Sequence, residues 1–286
     1  ADPLSLSQAT PTISAEEFLK FRDFFYRKTG IYFEDTKRYF VDKRLIERIL
    51  ATGNENFRSY FVMLRFEASG VELQALINLM TVNETYFFRE EYQFTCLVNS
   101  ILEDIVQRKP RHEPIRIWSV PSSSGEEPYS LAIYLLEHWP RADDYDIELI
   151  ASDIDTGILD KARQGRYDKR SIQHLPDALL RKYFTPLLNS QYQINQDLRD
   201  SVEFTLINIT DLAQMRGYRD FDVVFCRNLL IYFDDTSRRI AAEALFNALR
   251  PGGFICLGHS ESMSRITPLF KVRKFPEAIV YQKPLR

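Results

Sequence analysis

Cysteine is almost missing from this chain of 286 residues: Cys96, Cys226 and Cys256 stand far apart. With no CxxC pair the sequence offers neither a zinc site nor a disulfide framework, and reduced thiols in a cytoplasmic protein are the simplest expectation. Glycine is scarce too, at ten residues, about half the ~7% usage of ordinary proteins, which leaves little for a glycine-rich phosphate loop. Four histidines fall in no triad or ligand spacing, so no metal is expected. There is no run of eighteen apolar residues and no basic-then-apolar leader, which argues against membrane insertion and an export signal. Nor does one sign of charge dominate: 37 basic against 40 acidic side chains leave −3. Nothing therefore draws the protein generally to nucleic acid or to an anionic membrane.

What is present is material for a core. The chain is 45% apolar and 13% aromatic, which excludes wholesale disorder, and its length suits one large domain or two ordinary ones. Residues 1–12, "ADPLSLSQATPT", read as a flexible tail. Over 13–82 the apolar spacing is helical. Ser14 and Glu17 form a capping box, Phe18, Phe21, Phe24 and Phe25 recur at helical spacing, and Gly30 can end the helix. A second helix is predicted from near Asp35 to Gly53, with shorter ones through "FRSYFVMLRF" and "VELQALINLM". This segment reads as a small all-α domain.

Beyond "TVNETYFFRE" the pattern changes. After a helix over Tyr92–Arg108, bounded β-rich runs alternate with helical ones: "IRIWSV", "IELIAS", "VEFTLI", "FDVVFC" and "PGGFICLG", with "KVRKF" and "AIVYQK" as a closing hairpin. Such alternation predicts an α/β domain, a mostly parallel sheet covered on both faces. Residues 166–203 interrupt it and are too long for a plain connection.

Ligands of open parallel sheets bind beyond the carboxyl ends of the strands. Three polar clusters fall there: Gly125–Glu126–Glu127, the run "SDID" ending at Asp155, and Arg227–Asn228. The first lies in "IWSVPSSSGEEPYSLAI", a strand–turn–helix with one glycine where a dinucleotide fingerprint needs three. Two glutamates in that turn would repel a diphosphate. They suit a ribonucleoside with positive centres and no phosphate, which describes S-adenosylmethionine, with an acid after the second strand holding the ribose. The same acids also have ordinary uses: carboxylates stabilise a helix N-terminus, and either Asp153 or Asp155 could cap the next helix.

These blocks, "TVNETYFFRE", "WSVPSSSGEEPYSLAI", "ASDIDTGILDKAR", "FDVVFCRNLLIYF" and "LRPGGFICLGHSES", resemble in order those of the chemotaxis-receptor methyltransferases, the CheR family, from about Phe18 to Tyr281. The resemblance implies an all-α N-terminal domain (13–82), a Rossmann-like class I methyltransferase domain (83–286) and a small antiparallel β-subdomain inserted at 166–203. It implies S-adenosyl-L-methionine as cofactor, S-adenosyl-L-homocysteine as product, and glutamate side chains on the cytoplasmic helical region of methyl-accepting receptors as substrate. Block by block, Asn83, Thr85, Arg89, Glu127, Asp153, Asn208, Ile209, Arg227 and Asn228 would bind the cofactor, and Arg89 and Tyr232 would stand near the transferring methyl. Without the resemblance, Asn208 reads as a turn residue and Cys226 as a buried one. A non-catalytic S-adenosylmethionine-binding scaffold, or a methyltransferase of another substrate, is the alternative. In the helix "TKRYFVDKRLIERIL", Lys37, Arg44 and Arg48 are expected on one face, opposite Phe40, Ile46 and Leu50; given the resemblance, that face docks on acidic receptor helices. The resemblance also implies a receptor C-terminal peptide at the β-subdomain, although tail-binding members carry a glycine-containing loop where this chain has "TPLLNSQYQINQD".

Overall fold

A computed structural model describes residues 9–81 and 84–286. Asn83 and most of the expected tail lie outside the described residues. The chain divides into two compact units, Ala1–Val82 and Asn83–Arg286.

The first unit is helical: α1 (Ala15–Thr29), α2 (Arg38–Ala51), α3 (Phe57–Phe66) and α4 (Val71–Met80). The capping box forms as read: Ser14 Oγ accepts the Glu17 N–H and Glu17 answers to the Ser14 N–H. Gly30 ends α1 at φ 77°. Phe18, Phe21, Phe24 and Phe25 are all buried, each stabilising the unit by roughly 1.5–3 kcal/mol. The reading of α2 needs correcting. Its buried stripe is Val41, Leu45 and Ile49, while Leu50 is half-exposed, so the basic residues flank the apolar stripe and do not oppose it. Arg44 stacks on the Phe40 ring at 3.5 Å and donates to the Leu79 carbonyl. Arg48 is fully committed: its guanidinium makes a two-pronged ion pair with Glu72, a residue 4% exposed. Lys37 is exposed, and its ammonium has no partner among the described residues.

The second unit opens with α5 (Tyr92–Cys96) and α6 (Leu102–Val106), joined by a π-helical turn, Leu97–Ile101. A seven-stranded sheet follows: β1 (Ile115–Ser119), β2 (Ile147–Asp153), β6 (Val202–Leu206), β7 (Phe221–Cys226), β8 (Leu249–Leu257), β9 (Lys271–Lys274) and β10 (Ile279–Gln282). Its order is β6-β2-β1-β7-β8-β10-β9. The first five run parallel, and β10 is antiparallel to both neighbours. All six residues of β7 are buried, as a strand covered on both faces requires. Helices α7 (Glu126–His138), α8 (Thr156–Gln164), α12 (Leu212–Met215) and α13 (Asp235–Ala248) make the crossovers. Chain order reverses between β1 and β7, which opens a crevice at the carboxyl ends of those strands.

The inserted stretch has its own antiparallel sheet, β3 (Arg166–Tyr167), β5 (Tyr192–Ile194) and β4 (Phe184–Pro186), with α9 (Lys169–Ile172), α10 (Asp177–Tyr183) and α11 (Gln196–Asp200) around it. Its hairpin turn needs no glycine, because Asn189 and Ser190 take the left-handed conformation at φ 62° and 58°. Phe87 packs edge-on against Tyr167 and Phe184, with ring centres 4.8 and 5.3 Å apart. All three cysteines are buried thiols. No helix of the described residues is long and apolar enough to cross a membrane.

Candidate active site

Strand β1 leads into the turn at 120–125, and Gly125 closes it at φ 99°. A Cβ there would lie 2.8 Å from the Tyr167 hydroxyl and 2.9 Å from the Tyr129 ring, so both conformation and space select glycine. Two glutamates then open α7 and do different work. Glu126 turns inward, 3% exposed, and accepts from Ser124 Oγ and, at 3.1 Å, from Ser171 Oγ. Burial pushes its carboxyl above the ordinary range. Glu127 faces the crevice, where Ser119 Oγ donates to it at 2.8 Å and Arg227 Nε at 2.7 Å.

The aspartates after β2 divide in the same way. Asp155 caps α8, accepting the Ile158 N–H at 3.0 Å. Asp153 bends back to the first turn: its carboxylate accepts the Ser123 N–H at 2.9 Å and the Asp155 N–H at 3.0 Å. Burial raises its pKa to about 6, Asp155's charge adds to the rise, and the amide hydrogen bonds offset part of it. The Ile154 amide also serves this carboxylate, which as an acceptor of several hydrogen bonds can still take a hydroxyl. The Ile207 N–H donates to the Asp153 carbonyl at 3.0 Å, which ties the end of β6 to the same place. There Asn208 forms a side-chain turn, accepting from Thr210 N and Oγ1 at 3.1 and 2.7 Å, and Ile209 is buried.

From the end of β7, the buried Arg227 meets Glu127, stacks over the Phe94 ring at 4.8 Å and donates to the Arg89 carbonyl at 2.8 Å. Its Nη1 also lies 4.0 Å from Glu90 Oε2. Asn228 is left-handed at φ 63°. That conformation is secured by Glu261, which accepts N–H groups from Asn228, Gly258 and Ile231 at 2.7, 2.9 and 3.2 Å. The cation of this crevice is Arg227, matched by Glu127 and lying 4.0 Å from Glu90, so Asp153 adds carboxylate with no guanidinium or ammonium against it among the described residues. The donor set therefore misfits a diphosphate and fits a nucleoside bearing positive centres.

Two family descriptions match the chain: "CheR methyltransferase, SAM binding domain" over residues 83–279 and "CheR methyltransferase, all-alpha domain" over 16–81. Among curated proteins, the chain is 56% identical to chemotaxis protein methyltransferase 2 of Vibrio cholerae, over 95% of this chain and 94% of that one. It is 37% identical to chemotaxis protein methyltransferase 2 of Pseudomonas aeruginosa, over 90% of each chain. It is 35% identical to the chemotaxis protein methyltransferase of Salmonella typhimurium, over 91% of this chain and 88% of that one. The chain belongs to the CheR methyltransferases. Its cofactor is S-adenosylmethionine, and its reaction is methyl transfer in chemotaxis.

In this CheR methyltransferase, Glu127, Arg227 and the main chain of Arg89 form one hydrogen-bonded group, joined through the 119–127 turn to Asp153, and Asn228 beside Arg227 is held by Glu261. Other residues expected at the site stand apart from that group. The Arg89 guanidinium folds onto the Glu84 carbonyl of its own segment, 6.0 Å from the Tyr86 ring centre. Thr85 is partly buried with no partner among the described residues. Tyr232 sits on the 3-10 turn Leu230–Tyr232, 47% exposed. Sequence reading passed over Glu261 and Ser119, and placed Glu126 in the turn cluster without a role of its own. The signal for Glu261 was its place in "LGHSES", directly beyond a strand end.

Proposed function

We propose that the chain transfers the methyl group of S-adenosylmethionine to glutamate side chains of methyl-accepting chemotaxis receptors in the cytoplasm, forming glutamate 5-methyl esters. The observation that carries this reading is the carboxylate-rich crevice between β1 and β7, one short turn from the phenol of Tyr232. The cofactor supplies an electrophilic methyl group. The acceptor is already a nucleophile, because a glutamate with an ordinary pKa of ~4.3 is ionised near neutrality, and no general base is required. Catalysis then rests on alignment and exclusion of misdirected geometries. Asp153 holds the ribose hydroxyls, Glu127 orients the amino acid end through its ammonium, and Asn208–Ile209 flank the base. Thr85, and Asn83 outside the described residues, are assigned to the cofactor by the family resemblance alone. Arg227 fixes Glu127 in place, and Asn228 shapes the floor.

Tyr232 and Arg89 orient the incoming carboxylate. The Tyr232 hydroxyl has no partner among the described residues, so it is free to donate to an acceptor. Arg89 gives up only a carbonyl bond when it turns toward one. On α2, Lys37 and Arg44 retain charge that no carboxylate neutralises among the described residues, and these two are assigned to docking on acidic receptor helices. Arg48 is removed from that role by Glu72. A receptor tail peptide at the β-subdomain belongs to the same reading.

The test is chemical. The chain is incubated with methyl-labelled S-adenosylmethionine and a receptor cytoplasmic fragment, and the product is treated with alkali. Esters release the label as methanol. Alkali-stable label would assign a different acceptor atom, and no label would make the chain a scaffold.

A further inference from the structure

A second concavity lies behind the Leu230–Tyr232 turn, between the start of α13 and the segment after β8. It is a groove of about 380 Å³ whose lining includes Arg238, Arg239 and Arg265 over an apolar floor of Leu230, Ile231 and Ile266. Its charges are unevenly used. Of the two carboxylates that reach it, Glu261 is turned onto three backbone N–H groups, and Asp235 pairs with Arg238 at 3.4 Å. Arg238 is also fastened to the carbonyls of Leu230 and Ile231 at 2.8 and 3.3 Å. Arg239 and Arg265 are exposed, and their guanidinium groups make no ion pair or hydrogen bond with any described residue. The uncommitted charge of the groove is therefore wholly positive, although the chain as a whole carries −3.

Position narrows the occupant. Ile231 lines the groove, and its neighbour Tyr232 ends the same turn. From Tyr232 to Asp235 the chain spans at most ~11 Å, and Arg239 is roughly 6 Å further along α13. A chain lying past Tyr232 would thus meet Arg239 within ~17 Å, about three turns of a helix, with Arg265 lining the same groove. Guanidinium groups over aliphatic residues suit a segment with carboxylates on one side and apolar residues on the other. A nucleic acid would have to approach an acidic protein against its overall charge.

We propose that this groove binds carboxylates of the acceptor protein that flank the methylated glutamate within three helical turns, and so contributes to the choice of glutamate. The proposal rests on the reading of Tyr232 and of glutamate as acceptor. Both free arginines are surface residues outside the cofactor network, so their replacement leaves the fold intact. The experiment measures alkali-labile methylation of a receptor cytoplasmic fragment by the wild type and by the double variant Arg239→Glu/Arg265→Glu, at low and moderate salt. The expected result is a KM for the fragment raised about tenfold, with kcat at saturation and S-adenosylhomocysteine affinity unchanged. A fragment whose flanking glutamates are replaced by lysine should recover part of the loss with the variant and none with the wild type. An unchanged KM in an active variant overturns the groove assignment alone, and so does a variant that loses only binding of inorganic phosphate. A wild type that forms no alkali-labile product overturns this proposal and the proposed function together.

Discussion

In the proposed function, Asp153 is the residue at which the stability of the fold and cofactor binding share one proton. Its folded pKa of about 6 lies above the ~3.9 of an unfolded aspartate, so the folded state binds the extra proton between those values. The stability this group contributes is therefore full at low pH and is lost as pH rises toward 6. A ribose hydroxyl donating to the carboxylate favours the charged form and reverses that preference. S-adenosylhomocysteine should consequently bind about tenfold more tightly at pH 7 than at pH 5, releasing a proton near pH 6. Titration calorimetry in buffers of different ionisation enthalpy reads both effects, and Asp153→Asn should flatten the profile. Tyr232→Phe should lower kcat by roughly 10–100-fold, the worth of a hydrogen bond to a charged group, with cofactor affinity unchanged; an effect on cofactor affinity alone would return Tyr232 to a packing role. Arg48→Ala leaves the buried carboxylate of Glu72 unpaired. It should destabilise the helical unit by about 3–5 kcal/mol, read by chemical denaturation, whereas Lys37→Ala should be neutral in the same assay.

At the level of elements, the strands and most helices were legible because each is bounded by strong punctuation. The capping box at Ser14, the glycine at position 30, and the bounded apolar runs of β1, β2, β7 and β8 all emerge as read. The face of α2 was not legible. Arginine and lysine stems border apolar stripes as readily as they avoid them, and the decisive partner of Arg48 lies 24 residues away in α4. Adjacency also concealed the division of labour in the acidic pairs. One member of each, Glu126 or Asp155, serves the local backbone or the insertion, and the other lines the crevice. For the glutamates that division depends on tertiary contacts from Ser171 and Arg227, which no local spacing encodes; for the aspartates the cap at Asp155 is local, and spacing left only the choice between the two open. The insertion is wired to the cofactor turn by Tyr167, whose hydroxyl donates to the Ser124 carbonyl at 2.8 Å, and by Ser171 on Glu126. Tyr167→Phe should remove about 1 kcal/mol from the ordering of that turn, weakening S-adenosylhomocysteine binding by roughly fivefold in calorimetry. If the affinity is unchanged, the insertion is attached to the turn without supporting it.

Across the whole molecule, the proposed site draws on segments far apart in sequence, at 84–91, 119–127, 152–156, 207–209 and 225–231, and Glu261 braces the last of them. Addition of S-adenosylhomocysteine should slow hydrogen exchange in the strand-end segments together and leave the interior of β8 as it was. Protection confined to one of them would show that the ligand sits elsewhere. The most direct measurement is a crystal structure of the chain with S-adenosylhomocysteine. The account predicts ribose hydroxyls within hydrogen-bond distance of the Asp153 carboxylate and the amino group near Glu127. A nucleoside bound away from the β1–β7 crevice, with Asp153 still facing only backbone amides of its own turn and of Ser123, would contradict it.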